Sequence, residues 1–407
     1  MRRVLIISGG VIVFFILLGF FLFFFVPSSQ ESGGGPAREG VFGSLFPFNF
    51  GGGANITEEP SDDVPIVSEG GAAPRLRKIT ANPAVGGIFF ENGEDTGILY
   101  IERATGHVFE GSTENTTVKR ISNTTIPEIQ EVVWVNKDQF IIRYLTDEEA
   151  IETFSVRLAS TSEEQALQGT FITSWDRGVL DPEGRTLFTV TEVAGDASLA
   201  LVNPDGSNKR SLFTSPISSW VPLQSRNGLF VYSAPASGIP GGLFRVVGTA
   251  ISSVLGNQPG LIAQVSPGGD RVLFSTGEGN AVSLFMMKTD SGEIFESPIS
   301  TIADKCVFLG DGVRVVCGVP EEFPEGEYPN DWLLGRVAFS DYLWLVDFEL
   351  GSATLLSIPE DEANEIIDVL KPFVDPRDEY VGFVNKNDLS LWSLRISEEP
   401  IAPEASE

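Results

Sequence analysis

Short apolar segments separated by turn residues recur along most of the chain. In the clearest copy, Ser266–Asp270 (SPGGD) separates two runs of β-branched and aromatic residues within Val265–Ser275. A third run, Val282–Met287, follows and ends before Thr289–Gly292 (TDSG). Proline, glycine and aspartate at the reversals predict a strand, a tight turn and two further strands. Such a unit cannot bury its faces alone, so it has to recur.

Seven copies of this unit align on the turn position held by Pro267. The intervals between them are 53, 46, 43, 42, 42 and 67 residues, and we expect an insertion of about twenty residues in the longest interval. The seven turn positions are Pro83, Asn136, Pro182, Ser225, Pro267, Leu309 and Pro376. The predicted third strands align independently at Ile98–Ile101, Thr153–Val156, Leu199–Val202, Leu243–Val246, Leu284–Met287, Leu343–Val346 and Leu391–Leu394.

A period of about 40–45 residues with four short strands per unit is typical of a β-propeller blade. The sequence therefore predicts an all-β fold, a seven-bladed β-propeller with four-stranded blades, over residues 64–397. The last unit ends at its third strand, so a strand from elsewhere has to complete it. We expect Val64–Val67 to do so. Val64 lies 13 residues before Arg77, taken as part of a first strand, much as Ile294 lies 12 residues before Cys306.

The chain before the repeats has a different pattern. Val4–Val26 contains no charged residue and is long enough, at about 1.5 Å per residue, to span a bilayer as a helix. Because Arg2 and Arg3 precede it and no small-residue cleavage site follows, we interpret it as an uncleaved signal anchor. Residues 1–3 would then be cytoplasmic and the C-terminal domain extracytoplasmic. Residues 27–63 are predicted to be a flexible linker, and 398–407 a disordered acidic tail.

Composition narrows the functional classes. The net charge of −29 opposes binding to the phosphate backbone of nucleic acids. The single histidine, His107, lies in a predicted turn before an outer strand, so neither a Ser-His-Asp triad nor a histidine-rich metal site is predicted. No Gly-x-Ser-x-Gly motif occurs. We therefore expect no recognisable catalytic constellation, no cofactor and no metal, although abundant carboxylates can meet on folding.

The two cysteines are placed to pair. Asp311-Gly312 is typical of a two-residue hairpin turn, and counting outward from it sets Cys306 opposite Cys317. This register predicts a hydrogen-bonded pair with Cα atoms about 5.5 Å apart, within disulfide range. In an oxidising exterior we expect a disulfide, the alternative being two buried thiols.

The repeats resemble those of a known group. Ser266–Ser275, Tyr342–Asp347 and Leu180–Phe188 are similar to the repeats of TolB-like propellers, and the resemblance covers roughly residues 64–397. The Pro-Asp-Gly turn is degenerate around Asn136 and Ser225. Members of the group are mostly envelope scaffolds or non-catalytic propellers of oligopeptidases, and the shared motif fixes a turn and a core rather than chemistry. The stretch Lys305–Pro320, with its two cysteines, also resembles uncharacterised membrane-anchored bacterial propellers.

These patterns favour a membrane-tethered extracytoplasmic propeller that acts as a protein-interaction scaffold in a cell-envelope or secretion assembly. The alternative is a propeller enzyme, a glycoside hydrolase or lyase that uses carboxylates near the central channel. Ser174–Gly178 matches the start of a turn found in sialidase-like propellers, but it occurs once and we interpret it as structural. The sequence identifies no small-molecule ligand.

The predicted partner site is the insertion in the sixth blade, Pro320–Arg336. It contains Phe323, Tyr328 and Trp332, residue types that dominate binding hot spots, and three prolines that limit its unfolded freedom. In the alternative interpretation these three rings fold back and cover a neighbouring blade.

Overall fold

Seven four-stranded antiparallel sheets make up most of the computed structural model, which describes residues 73–93, 95–158 and 167–396. Six sheets hold four strands that are consecutive in the chain, and the seventh combines the last three strands with the first. The predicted all-β, seven-bladed propeller with four-stranded blades is confirmed. The sheets extend from Leu76 to Arg395.

Within each blade the first-named strand is the innermost and the last-named strand is the outermost. Blades 1 to 3 consist of β2 (Ala84–Asn92), β3 (Asp95–Glu102), β4 (Val108–Ser112) and β5 (Val118–Arg120); β6 (Ile129–Asn136), β7 (Gln139–Leu145), β8 (Ile151–Leu158) and β9 (Leu167–Ile172); and β10 (Arg177–Leu180), β11 (Leu187–Val193), β12 (Asp196–Val202) and β13 (Arg210–Ser215). Blades 4 and 5 consist of β14 (Trp220–Ser225), β15 (Gly228–Ser233), β16 (Pro240–Val247) and β17 (Ala250–Pro259); and β18 (Ile262–Val265), β19 (Arg271–Glu278), β20 (Ala281–Lys288) and β21 (Ile294–Glu296). Blades 6 and 7 consist of β22 (Cys306–Phe308), β23 (Arg314–Pro320), β24 (Asp341–Asp347) and β25 (Ser352–Ser357); and β26 (Val369–Val374), β27 (Tyr380–Asn385), β28 (Leu391–Arg395) and β1 (Leu76–Lys78).

An N-terminal strand closes the ring, but it is not the strand that we predicted. β1 pairs with β28, with Leu76 opposite Leu394 and Lys78 opposite Trp392, and so becomes the fourth strand of blade 7. The sequence prediction gave this role to Val64–Val67, which lies outside the described residues, and placed Arg77 in the first strand of blade 1. Closure by the N-terminal segment is therefore right, and the choice of strand is wrong.

The same misplacement shifted the prediction for blade 1 by one strand. Ile98–Ile101 lies in the second strand, β3, and Pro83 precedes the inner strand β2 instead of separating the first two strands. The turn that joins them follows Asn92, which pairs with Asp95, and Gly93 has a left-handed φ of 69° there. Glycine at the first central position is typical of a two-residue hairpin turn. The other six predicted third strands lie in β8, β12, β16, β20, β24 and β28.

The inner strands of the seven blades surround a central channel. Successive strands of a blade alternate in direction, so two kinds of loop share the end of the ring at which the inner strands begin. These loops join the second strand to the third, and the fourth strand to the next inner strand. We call this end the mouth face. The remaining turns, first to second strand and third to fourth, lie on the opposite face.

Apolar side chains fill the space between neighbouring blades. Phe188 and Val190 of blade 3, for example, pack in one cluster with Trp220 and Val231 of blade 4. The interiors of these strands are buried, while the outer strands carry exposed residues, which is the expected alternation for blades covered on both faces.

The predicted insertion is confirmed between the second and third strands of blade 6. It runs from the end of β23 at Pro320 to the start of β24 at Asp341, and contains the short helix α1 (Asn330–Leu333). A second short helix, α2 (Pro359–Ala363), precedes blade 7. Neither of these helices, nor any other within the described ranges, is long and apolar enough to cross a membrane. The predicted anchor Val4–Val26, the linker 27–63 and the tail 398–407 lie outside those ranges.

Candidate functional site

A cavity of about 850 Å³ lies at the mouth face of the channel. Every inner strand contributes to its wall near the residue where that strand begins. One lining residue from each, in order around the ring, is Val85, Glu131, Arg177, Pro222, Gln264, Val307 and Lys371. This volume is typical of pockets that bind small molecules or inserted side chains. Because all seven blades form the wall, the cavity has a fixed shape without a separate domain to close it.

The blade 6 insertion forms part of the cavity wall. Asn330, Trp332, Leu333 and Leu334 all line the cavity, and Leu334 is also exposed. The loop belongs to the mouth face, since it connects a second strand to a third. It therefore shapes the entrance to the channel.

The three predicted partner-binding residues lie largely inside the fold. Tyr328 and Trp332 are buried, and Phe323 is partly buried against the same core cluster between blades 5 and 6. Phe323 makes edge contacts with Tyr328 and Phe339, with ring centroids 5.3 and 5.4 Å apart. The three rings therefore fold back onto the core between blades 5 and 6, which is the alternative interpretation of the sequence. That a partner binds this loop stays a prediction, but its contacts would come from Leu333 and Leu334 at the rim.

Four buried charges, which we call the buried tetrad, lie under the insertion: Lys305, Asp341, Asp368 and Lys386. The Nζ atom of Lys305 lies 2.7 Å from Oδ2 of Asp341 and forms a second ion pair with Oδ1 of Asp368. The Nζ atom of Lys386 lies 3.8 Å from Oδ2 of Asp368. Two cations therefore face two carboxylates, and each charge has an opposite charge beside it.

The tetrad fastens the insertion to blade 7. The indole Nε1 of Trp332 donates to both carboxylate oxygens of Asp368, at 3.0 and 3.1 Å, and the backbone N–H of Phe339 donates to the same group at 3.1 Å. Lys386 donates to the carbonyl oxygens of Trp332 and Val337, at 2.8 and 3.1 Å. The buried carboxylate of Asp368 thus orients the indole ring of Trp332 in α1 and the backbone that leads into β24.

Burial shifts the pKa values of two residues of the tetrad, Asp341 and Lys386. Burial raises the pKa of Asp341 to about 7, and the nearby Asp368 charge acts in the same direction against the attraction of Lys305. Oδ1 of Asp341 accepts no hydrogen bond within the described residues, which leaves its ionised form poorly solvated. Burial likewise lowers the pKa of Lys386 to about 8.

Lys371 differs from these groups in both backbone and surroundings. It lies on the inner strand β26, where the register with β27 shifts between Leu370 and Phe373, and it has a left-handed φ of 48°. A non-glycine residue in this conformation costs about 1–2 kcal/mol, and a residue before a proline, here Pro372, normally stays extended. Such a bulge re-aims a side chain, and Lys371 lines the channel cavity.

The Lys371 amine makes no hydrogen bond or ion pair to any residue that the structure describes. Its side chain is exposed within the channel even though protein surrounds it. The enclosing walls lower the pKa of Lys371, and the neighbouring Arg103 and Arg143 lower it further against the attraction of Glu131. A cation near like charges is stabilised when an anion joins it.

Asp304 is a second isolated charge in the same cavity. It belongs to a 3₁₀ turn, Ala303–Lys305, that Gln264 holds by donating to the carbonyl oxygens of Ala303 and Cys306, at 2.7 and 3.0 Å. Its half-buried carboxyl has no hydrogen bond or ion pair with the described residues, and burial raises the pKa of Asp304 to about 6. The pKa of Tyr232, another lining residue, is raised by its burial and by the charge of Asp304.

This arrangement offers ionisable groups but no cluster of metal ligands. Among the described residues, no group of three or more His, Cys, Asp or Glu side chains could hold a metal ion. His107 lies between β3 and β4, does not line the cavity, and has its Nε2 atom 3.3 Å from Oγ1 of Thr125. The cavity can therefore bind an anion through Lys371 and exchange a proton through Asp304.

Cys306, which lines the cavity, lies opposite Cys317 as the sequence predicts. Their sulfur atoms are joined at 2.14 Å and their Cα atoms are 4.0 Å apart. The predicted spacing of about 5.5 Å is wrong because the turn is longer than the Asp-Gly pair suggested. Leu309 donates its N–H to the carbonyl oxygen of Arg314, so the loop has four residues. Counting outward from this bond makes the cysteines a non-hydrogen-bonded pair, the closer kind.

Solved structures match this fold, whereas no family model and no curated protein matches the sequence. An oligogalacturonate lyase from Vibrio parahaemolyticus has a TM-score of 0.51 at 11% identity, over 79% of this chain and 94% of that one. The β-propeller domain of the Trilobed protease from Pyrococcus furiosus has a TM-score of 0.49 at 13% identity, over 78% and 100%. TolB from Acinetobacter baumannii has a TM-score of 0.42 at 11% identity, over 77% and 79%.

This chain has the β-propeller fold. At such low identity the similarity to the lyase shows the fold alone, and the two similarities with TM-scores below 0.5 add nothing to it. Chemistry therefore has to be argued from the residues of this cavity.

Sequence reasoning missed the residues that distinguish the site. Lys305, Asp341 and Asp368 are single charges beside apolar runs at the start of strands, a position in which a solvated turn residue is the usual interpretation. Nothing in the sequence around Lys371 announces a left-handed backbone, because glycine or asparagine is the usual signal for one.

Proposed function

We propose that the protein is a membrane-tethered, extracytoplasmic scaffold that binds a protein or peptide partner at the mouth face of its propeller, as part of a cell-envelope or secretion assembly. The observation that carries this proposal is the cavity itself. All seven blades wall it, and the buried tetrad fixes the insertion at its rim. A preformed recess on a rigid ring binds with little loss of conformational entropy.

Exposed aliphatic side chains on the same face support this proposal. Ile217, Ile239 and Ile366 lie in mouth-face loops of blades 3, 4 and 6, and Leu334 lies on the insertion. Single exposed apolar residues are ordinary on protein surfaces. These four lie in loops around one opening, as expected for the apolar part of an interface. Other exposed apolar residues, Leu350 among them, lie elsewhere on the ring.

Site-specific photo-crosslinking of the full-length chain in its own cells tests the proposal. A photoreactive residue replaces Ile239, which is 62% exposed on the mouth face, or Leu350, which is 79% exposed in a turn on the opposite face. We expect a discrete crosslinked partner from position 239 and none from position 350. A discrete partner from position 350 alone would place the binding face at the other end of the ring. No discrete partner from position 239 would also contradict the proposal.

Asp304 favours a second candidate function, a glycoside hydrolase or lyase. Its carboxyl has a pKa raised to about 6 by burial and shares the cavity with Tyr232 and Arg177, so it has the properties of a general acid. Glu131, the other acid named in the wall, is already 2.6 Å from Arg143. The test is release of reducing ends or unsaturated products from a panel of polysaccharides. Activity that Asp304→Asn abolishes supports the enzyme, whereas no activity, or equal activity in both proteins, contradicts it.

A further inference from the structure

We propose that Lys371, together with Arg103, receives a carboxylate group that a ligand inserts into the channel through the mouth face. This inference rests on the proposed binding function and specifies the chemistry of what is bound. It stands on the amine of Lys371, which has no ion pair or hydrogen bond within the described residues, on the backbone that aims Lys371, and on the apolar walls around it.

Lys371 has no opposite charge in contact with it among the described residues. Glu131 is the carboxylate that acts on Lys371, while Arg103 and Arg143 act against it. Oε2 of Glu131 lies 2.6 Å from Nη1 of Arg143, so that carboxylate is already engaged. Lys371 is left as a cation without a contacting carboxylate among the described residues. A carboxylate supplied by a ligand would provide the opposite charge.

The geometry of the wall favours binding rather than structural support. The bulge in β26 turns Lys371 into the channel at a conformation that glycine would adopt more easily. Arg103 lines the same wall, and its Nη2 donates to Oε1 of Gln130 at 2.6 Å, which orients the guanidinium. An oriented guanidinium and an ammonium group in the same wall suit the two oxygens of a carboxylate.

The apolar lining of the cavity and the net charge of the chain indicate how many negative charges the ligand carries. Val85, Val179, Val221 and Leu370 also line it, so the body of the ligand meets apolar walls. The chain carries a net charge of −29, which repels polyanions approaching from solution. These features favour one carboxylate on an otherwise neutral body over a polyphosphate. Its source is a peptide C-terminus, an acidic side chain or a sugar acid.

Calorimetric titration of the full-length chain tests the proposal with three probes that separate these sources. The probes are a neutral tripeptide with a free C-terminus, the same tripeptide amidated and carrying one glutamate, and glucuronate. We expect at least one to bind saturably, and Lys371→Gln to weaken it roughly tenfold or more, the usual effect of losing a charged hydrogen bond. Lys371→Arg, which keeps the charge, should retain most of the affinity.

Lys137→Gln is the matched control, because it removes the same charge from an exposed turn at the opposite end of blade 2. We expect its affinity to stay within about twofold of wild type, the range for a screened surface charge. The proposal is overturned if none of the probes binds saturably, or if Lys371→Gln and wild type bind the probes equally. Photo-crosslinking from position 239 that persists in Lys371→Gln would then show that the mouth face still binds a partner. In that case the carboxylate inference fails and the proposed function does not.

Discussion

Two sets of enclosed charges lie about the same channel, and they differ in whether the protein supplies their partners. In the buried tetrad, Lys305 and Lys386 face Asp341 and Asp368, and the carboxylates also accept backbone and indole hydrogen bonds. In the cavity, Lys371 and Asp304 have no hydrogen bond or ion pair within the described residues. The charges of the tetrad pair with one another, whereas Lys371 and Asp304 are available to a ligand.

The difference separates groups that hold the fold from groups available for function. A buried ion pair contributes little net stability but is costly to break from one side, so it fixes a loop in one position. An unpartnered enclosed charge on strained backbone destabilises the fold, and such features cluster at functional sites. The insertion is the point of contact between the two sets, because Trp332 binds Asp368 with its indole and lines the cavity.

Breaking the paired set should have the largest effect. Asp368→Ala removes the acceptor for Lys305, Trp332 and Phe339, so we expect it to lower the free energy of unfolding by about 3–5 kcal/mol. Urea denaturation of the full-length chain measures this loss. Glu293→Ala is the control, since among the described residues the Glu293 side chain makes its hydrogen bond and ion pair with the exposed Lys288 alone, worth at most about 1 kcal/mol. Equal losses in the two variants would show that the tetrad does not hold the insertion.

The disulfide adds a covalent restraint next to the tetrad, because Cys306 directly follows Lys305. Replacing both cysteines by alanine should lower the free energy of unfolding by about 3 kcal/mol, since the bond closes a loop of 11 residues in the unfolded chain. Denaturation under non-reducing conditions measures the effect. Two alkylatable thiols in the unreduced wild-type chain, detected by mass spectrometry, would contradict the bond.

Replacing Lys371, which has no partner among the described residues, should raise the free energy of unfolding instead of lowering it. Lys371→Gly removes an isolated cation and relieves the left-handed φ of 48°, while glycine adds freedom to the unfolded chain. We expect a net gain in the free energy of unfolding of up to about 1 kcal/mol. Lys137→Gly, at a position without a left-handed backbone, should give no gain. A loss of stability in Lys371→Gly would mean that Lys371 supports the fold.

Asp304 should add a pH dependence to the stability. Its pKa is raised from 3.8 to about 6 in the folded state, so its contribution to stability is complete below about pH 4 and is lost as the pH rises through 6. Wild type should therefore lose stability relative to Asp304→Asn between pH 4 and 6. Urea midpoints for both proteins across this range measure the difference. Parallel curves would show that Asp304 is not shifted.

The sequence predicted the architecture well because each blade repeats its own turn and core signals. Six of seven third strands were placed correctly, since apolar runs and Pro-Gly-Asp turns are local features. Blade 1 failed because it was aligned on Pro83, whereas its first two strands are joined by the turn after Asn92. Closure by an N-terminal strand was right, but the choice of strand failed for a different reason: the pairing of Leu76 with Leu394 joins residues from the two ends of the propeller, and local sequence cannot specify such a contact.

The candidate site was much less predictable. The aromatic residues of the insertion were found, but their burial depends on a carboxylate 36 residues away, Asp368 beneath Trp332. The partnerless state of Lys371 likewise results from how blades 1, 2 and 7 meet around the channel. Pairing of charges is a property of the folded structure, so composition shows which charges exist and not which remain available.

The central claim is that the protein leaves Lys371 without a partner so that a ligand can supply one. The most direct test is the free energy of unfolding of wild type and Lys371→Gly, each with and without the carboxylate probe that binds best. We predict that the variant is the more stable protein without the probe, and that the probe stabilises wild type more than the variant, by up to about 1.4 kcal/mol for each tenfold difference in affinity. Equal stabilisation of both proteins by the probe, or a less stable variant in its absence, would contradict the account.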